Sequence, residues 1–129
     1  MPVSAMNHFT ILTDDLDGTI AFYGELLGLR PGPRPPFGFP GAWLYAEDAS
    51  HAILHVIADR MRQELLKGVI DHNAFTGRGL VETVGKLKGR GIPYDLQRLP
   101  GYGTWQLFFF DPNGAKVEID FDPAEPAPA

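Results

Sequence analysis

The sequence predicts an α+β fold made of two βαβββ modules whose curved sheets enclose a common space. Three observations carry that prediction. A short strand-like segment with a histidine near its start occurs twice, as Asn7-His8-Phe9-Thr10-Ile11-Leu12 and as Asp71-His72-Asn73-Ala74-Phe75-Thr76, the histidines 64 residues apart. The stretch after each histidine also repeats, as a helix-like segment, a turn-rich loop, an apolar run, and a strand entered through an aspartate-led turn. Setting Asp48 on Asp111 lays His55 on Glu118, 63 residues apart, so each half carries two potential metal ligands at matching places.

Taken in order, residues 6–12 alternate as a half-buried strand does, with Phe9 and Ile11 on one face and His8, Thr10 and Leu12 on the other. Asp14 or Asp15 can cap a following helix. Leu16, Ile20, Tyr23 and Leu27 recur along it at helical spacing, and Gly28 supplies the stop. Between Arg30 and Gly41 lie Pro31, Pro33, Pro35, Pro36 and Pro40. Each lacks a backbone donor, so regular helix is ruled out. With Arg34, Phe37 and Phe39 among the prolines, the stretch reads as a semi-rigid loop, either a connector or a wall over a pocket. Residues 43–46 and 51–57 read as strands joined by the Glu47-Asp48-Ala49-Ser50 turn, and 59–67 as a short helical connector. The second module runs through a strand over 70–76 and a helix over about 78–90, with an apolar stripe of Leu80, Val84 and Leu87 and with Gly91 as its stop. Strands follow near 93–98, 104–110 and 115–121, the last two joined by Asp111-Pro112-Asn113-Gly114. One domain therefore spans 1–129, with module one at about 5–58 and module two at about 69–121. The proline-rich tail 122–129 is expected to be extended or disordered.

A chain of 129 residues can bury a real core. A net charge of −5 and a pI near 5.2 argue against a nucleic-acid partner, which calls for clustered Lys and Arg. No apolar run approaches the roughly 18 residues of a membrane span. The N-terminal residues have neither the basic nor the apolar region of an export signal, so a cytoplasmic location is expected. Cysteine is absent. Thiol catalysis, disulfides and Cys-ligated zinc are thereby excluded, and any metal must rely on His, Asp and Glu.

Strand parity indicates where the candidate ligands point. Val117, Ile119 and Phe121 share the face suited to the core, and Glu118 faces the other way beside Lys116 and Asp120. Leu54 and Val56 take the core side of the matching strand, leaving His55 opposite with His51, Ile53 and Ile57. His8, His55, His72 and Glu118 are thus placed to project towards one divalent cation. His8, His72 and Glu118 have the two-histidine, one-carboxylate composition of non-haem iron sites. His51 falls near the turn, opposite Gly114 in the repeat, and reads as a surface residue. Trp43 matches Gln106 in the repeat and Tyr45 matches Phe108. Trp43, Tyr45 and Gln106, with Tyr102 nearby, are therefore candidates for the lining of a small-molecule pocket.

Asn7-His8-Phe9, Phe22-Tyr23 with Leu27-Gly28-Leu29, Asp71-His72-Asn73-Ala74-Phe75, and Phe110-Asp111-Pro112-Asn113-Gly114 leading to Val117-Glu118-Ile119 together resemble the vicinal oxygen chelate superfamily. That group includes glyoxalase I, extradiol dioxygenases, methylmalonyl-CoA epimerase, and the fosfomycin and bleomycin resistance proteins. The resemblance covers residues 5–121. It implies a glyoxalase/dioxygenase-like cup of curved mixed sheets around a divalent metal (Fe, Mn, Zn, Ni or Co) that binds two adjacent oxygens of a small substrate. It implies His8, His72 and Glu118 as ligands and a homodimer as the assembly. In the glyoxalase I and epimerase branches the His55 position is a fourth ligand, usually Glu or Gln, whereas in the dioxygenases a histidine near it is an acid–base residue. His55 therefore leans towards extradiol ring cleavage, in which it would move protons, whereas in a lyase or isomerase Glu118 or His55 would exchange the proton. Phe108 departs from that branch, which carries a tyrosine there. A glyoxalase-type lyase or an epimerase is the alternative, and a drug-sequestering binder without catalysis a third.

Overall fold

A computed structural model describes residues 5–58 and 70–129. The helical connector expected at 59–67 lies outside the described residues. The chain divides into two compact units, Met1–Leu65 and Leu66–Ala129. Each has the order β-α-β-β-β, as the repeat predicts.

The first unit comprises β1 (Phe9–Thr13), α1 (Leu16–Leu27), β2 (Arg30–Pro31), β3 (Gly41–Tyr45) and β4 (Ala52–Ala58). Its sheet order is β1-β4-β3-β2. β1 runs parallel to β4, with Thr10 opposite His55, and the other pairs are antiparallel. The helix begins where Asp15 accepts a hydrogen bond from the Gly18 amide at 3.0 Å, and it ends at Gly28 in the left-handed conformation. Phe22, Tyr23 and Leu26 of α1 are buried, as are Leu44, Leu54 and Val56 of the sheet. The buried stripe is therefore rotated from the predicted one. Leu16, Ile20 and Leu27 are only half-buried, because the stripe centres on the two large rings of Phe22 and Tyr23, which meet edge to face at 5.4 Å.

The proline-rich stretch is not wholly irregular. Arg30 and Pro31 form a two-residue edge strand opposite Tyr45 and Leu44. Proline is tolerated there because one side of an edge strand asks for no amide donor. The ladder between β3 and β4 slips at Leu44 and Tyr45.

The second unit comprises β5 (Asn73–Thr76), α2 (Leu80–Gly89), β6 (Tyr94–Arg98), β7 (Trp105–Phe110) and β8 (Lys116–Phe121). Its order β5-β8-β7-β6 reproduces that of the first, again with the first strand parallel to the last. Leu80, Val84 and Leu87 form the buried face of α2, as predicted. The β7–β8 turn is built by Asp111, whose buried carboxylate accepts from the amides of Asn113 and Ala115, each at 2.8 Å. Among the described residues no helix is long and apolar enough to cross a membrane.

The sequence reads as a loose tail, but the residues after Phe121 are tied to the second unit. α2 starts at Gly79, which has no side chain to cap it. The Glu125 carboxylate fills that place, accepting from the Gly79 and Leu80 amides at 3.1 and 2.7 Å. Its negative charge also suits the positive end of the helix dipole. Trp105 Nε1 donates to the Glu125 carbonyl at 3.0 Å, and Arg98 donates to that of Pro123 at 2.9 Å. Removing this cap in Glu125→Ala is expected to cost about 1 kcal/mol of unfolding free energy in a denaturant titration. An unchanged midpoint would show that the carboxylate does not support the helix.

Candidate metal centre

His8 and His72 occupy the same place in their units, one residue before the first strand. In the first unit His55 lies opposite Thr10 across the parallel pair, so His8 sits two positions away on the same face. The His8 and His55 rings stack at 3.8 Å with 21° between their planes. Trp43, which pairs with His55 across the antiparallel ladder, stacks on His55 at 4.1 Å and 5°. His55 is thus held between two flat rings. Burial, reinforced by the nearby His8, His51 and Arg34, keeps its imidazole below the usual 6.5. A neutral ring in that position can accept a proton or a cation. Asn7 Oδ1 accepts from His8 Nδ1 at 2.6 Å and from His51 Nε2 at 2.9 Å.

The second unit repeats the diagonal. Glu118 lies opposite Ala74, again two positions from the histidine. Here the partner is a carboxylate, and His72 Nε2 lies 3.0 Å from Glu118 Oε1. His72 Nδ1 is turned to Asp71 Oδ2 at 2.7 Å. Glu118 is only 5% exposed. Its second oxygen accepts from Gln106 Nε2 at 3.3 Å, and the Gln106 carbonyl accepts from Gln97 at 3.0 Å. Phe108, opposite Glu118 in the ladder, meets the His72 ring edge-on at 5.8 Å. Burial, a hydrogen bond to Glu118 and the Glu118 charge push the Asp120 carboxyl from 3.8 to about 6, against the pull of His72. Asp120 Oδ1 is buried and has no hydrogen-bond partner among the described residues.

These donors suit a divalent cation of hard or borderline character. They are imidazole nitrogens and buried carboxylate oxygens, with no sulfur. Nε2 of His72 and Oε1 of Glu118 face each other as two atoms that both attract cations, so a proton or a metal ion is the natural bridge between them. Among the described residues no three His, Asp or Glu side chains come together as a group able to hold a metal ion.

The proposed pocket residues divide. Trp43 stacks on His55 and Gln106 supports Glu118, so both stand beside candidate ligands. Tyr45 does not, because its hydroxyl donates to the Pro33 carbonyl at 2.5 Å and so fastens the proline loop. Tyr102 is 77% exposed on the turn between β6 and β7. The repeat alignment of Trp43 with Gln106 is also corrected. Opposite the matched residues His55 and Glu118 stand Trp43 and Phe108, because the β3–β4 connection and its ladder slip shift the first unit's pairing. Asn7, Asp71 and Asp120 were missed as site residues. The signal for the first two was available, since an Asx residue immediately precedes each histidine.

Residues 5–119 match the model of the Glyoxalase/Bleomycin resistance protein/Dioxygenase superfamily. The chain belongs to that superfamily. A relative from Arabidopsis thaliana named Glyoxylase I 4 is 31% identical over 126 residues, covering 91% of this chain and 70% of its own. Two solved structures share the superfamily fold. One is a mutant of the fosfomycin resistance protein FosX of Listeria monocytogenes complexed with Mn(II) and dihydroxypropylphosphonic acid (TM-score 0.73, 14% identity, 94% of each chain). The other is the lactoylglutathione lyase of Agrobacterium tumefaciens (TM-score 0.66, 20% identity, 95% of this chain and 97% of that one).

The Asp120 shift gives a pH prediction. A carboxyl that holds its proton more tightly folded than unfolded stabilises the fold below 3.8 and loses that contribution as pH rises through about 6. Wild type measured against Asp120→Asn in denaturant titrations is therefore expected to lose relative stability across that interval. A difference that stays flat there would contradict the assignment.

Proposed function

We propose that the chain is a divalent-metal-dependent enzyme that takes up a small substrate through two adjacent oxygens. The observation that carries this reading is the 3.0 Å approach of His72 Nε2 to the buried Glu118 carboxylate. His8, His72 and Glu118 are the proposed ligands, and His55 is the proposed proton carrier. A homodimer is the proposed assembly, as the superfamily resemblance implies.

The cation, when bound, supplies Lewis-acid polarisation of the substrate oxygens and lowers the cost of negative charge on them. The chain's own residues do the rest. The His55 imidazole, held below its usual value by burial and by the nearby His8, His51 and Arg34, can take a proton from carbon or oxygen and return it. Trp43 fixes the plane of that ring. Gln106 holds one Glu118 oxygen and leaves the other directed at His72.

Of the finer readings, proton transfer in a glyoxalase-type lyase or isomerase has the wider support. The relative named Glyoxylase I 4 favours it. Phe108 stands where the ring-cleaving branch has a tyrosine, and the Tyr45 hydroxyl is engaged by Pro33. Extradiol ring cleavage is the second reading, favoured by a histidine at position 55.

Protein purified without chelator is expected to carry about one divalent cation per chain by elemental analysis. It should convert a hemithioacetal or exchange an α-carbon proton with solvent deuterium, without oxygen uptake. His55→Ala is expected to keep the cation and lose about 10²–10⁴-fold in kcat. Oxygen uptake on catechols would favour ring cleavage instead. A metal-free protein that binds aromatic drugs without turnover would replace both readings with a sequestering role.

A further inference from the structure

We propose that Asn7 and Asp71 are positioning residues, each fixing the histidine after it in the tautomer protonated on Nδ1, so that Nε2 is presented as the cation donor. The proposal deepens the metal-dependent reading above and rests on it.

The two contacts have one geometry. Asn7 Oδ1 lies 2.6 Å from His8 Nδ1, and Asp71 Oδ2 lies 2.7 Å from His72 Nδ1. Amide and carboxylate oxygens only accept, so in both cases Nδ1 must carry the hydrogen. A neutral imidazole has one ring proton. Committing it to Nδ1 leaves the lone pair on Nε2, which in His72 is the atom 3.0 Å from Glu118. A free imidazole side chain in water favours the opposite tautomer, so the preceding residue must reverse that preference at each position.

Neighbouring side chains on a regular strand point to opposite faces and cannot meet in this way. The contact is available because each histidine stands just outside its strand, where β1 starts at Phe9 and β5 at Asn73. The oxygens are not interchangeable. Asn7 Oδ1 also accepts from His51 Nε2 at 2.9 Å, so one amide oxygen takes both ring N–H donors. His51 thereby holds Asn7 in the orientation that holds His8. Asp71 carries charge instead and has Lys116 Nζ at 3.9 Å. A carboxylate behind an imidazole strengthens it as a ligand, whereas a neutral amide orients without adding charge.

The test reads the tautomer and the metal separately. In the metal-free protein at about pH 8, where an unperturbed histidine is neutral, ¹⁵N–¹H correlation of the imidazoles should show His8 protonated on Nδ1. Asn7→Leu should shift it towards Nε2 protonation, and Asn7→Asp should keep it on Nδ1. Zinc affinity, by competition with a chromophoric chelator, should fall about 10–100-fold in Asn7→Leu and in Asp71→Leu. Asn7→Asp and Asp71→Asn should largely retain it. Both positions are exposed, and circular dichroism with unchanged thermal midpoints checks that the variants fold. His8 still on Nδ1 in Asn7→Leu, or leucine variants that bind zinc as wild type does, would overturn the proposal. Wild type that binds no zinc would overturn the metal-dependent reading, while the His8 tautomer would still decide the role of Asn7.

Discussion

In each unit the first strand runs parallel to the last, and the register of that pair determines which side chains can meet. Thr10 opposite His55 and Ala74 opposite Glu118 set His8 and His72 two positions along the same face from those partners. Diagonal neighbours on one face are within reach of long or aromatic side chains. The stack at 3.8 Å in one unit and the nitrogen–oxygen contact at 3.0 Å in the other are the outcome. A slip of one residue would turn each histidine to the opposite face from its partner. The register is pinned by the apolar side chains beneath, Ile11, Leu54 and Val56 in the first unit and Val117, Ile119 and Phe121 in the second, all buried.

The halves share a backbone plan but differ in charge. The first gathers His8, His51, His55 and Arg34, and burial together with their mutual influence keeps His55 below its usual value. The second gathers Asp71, Glu118 and Asp120 around a single histidine, and there an acid is pushed up to about 6. One unit thus offers imidazole nitrogens and the other offers carboxylate oxygens.

Much of this was legible in the sequence because it depends on local chemistry. Alternation placed Glu118 and His55 on the face opposite the apolar residues, Asp15 and Gly28 bounded the first helix, and Asp111 marked a turn. Other features depended on pairings that alternation does not specify. The ladder slip at Leu44 and Tyr45 moved Trp43, not Tyr45, into the place matching Phe108. The tail looked too polar and proline-rich to dock, yet Glu125 fills the gap left by a helix that begins at a glycine. The Asn7–His51 contact joins residues 44 apart and has no sequence signature. The Asx residue before each histidine was readable, but its meaning required knowing that the strands start one residue later.

If His72 and the buried Glu118 carboxylate bind a divalent cation, anomalous diffraction from crystals loaded with Mn(II) will show it. The expected result is a strong peak within coordination distance of His72 Nε2 and a Glu118 oxygen, the two atoms that stand 3.0 Å apart. No peak beside Glu118, or one coordinated through His72 Nδ1, would contradict the account.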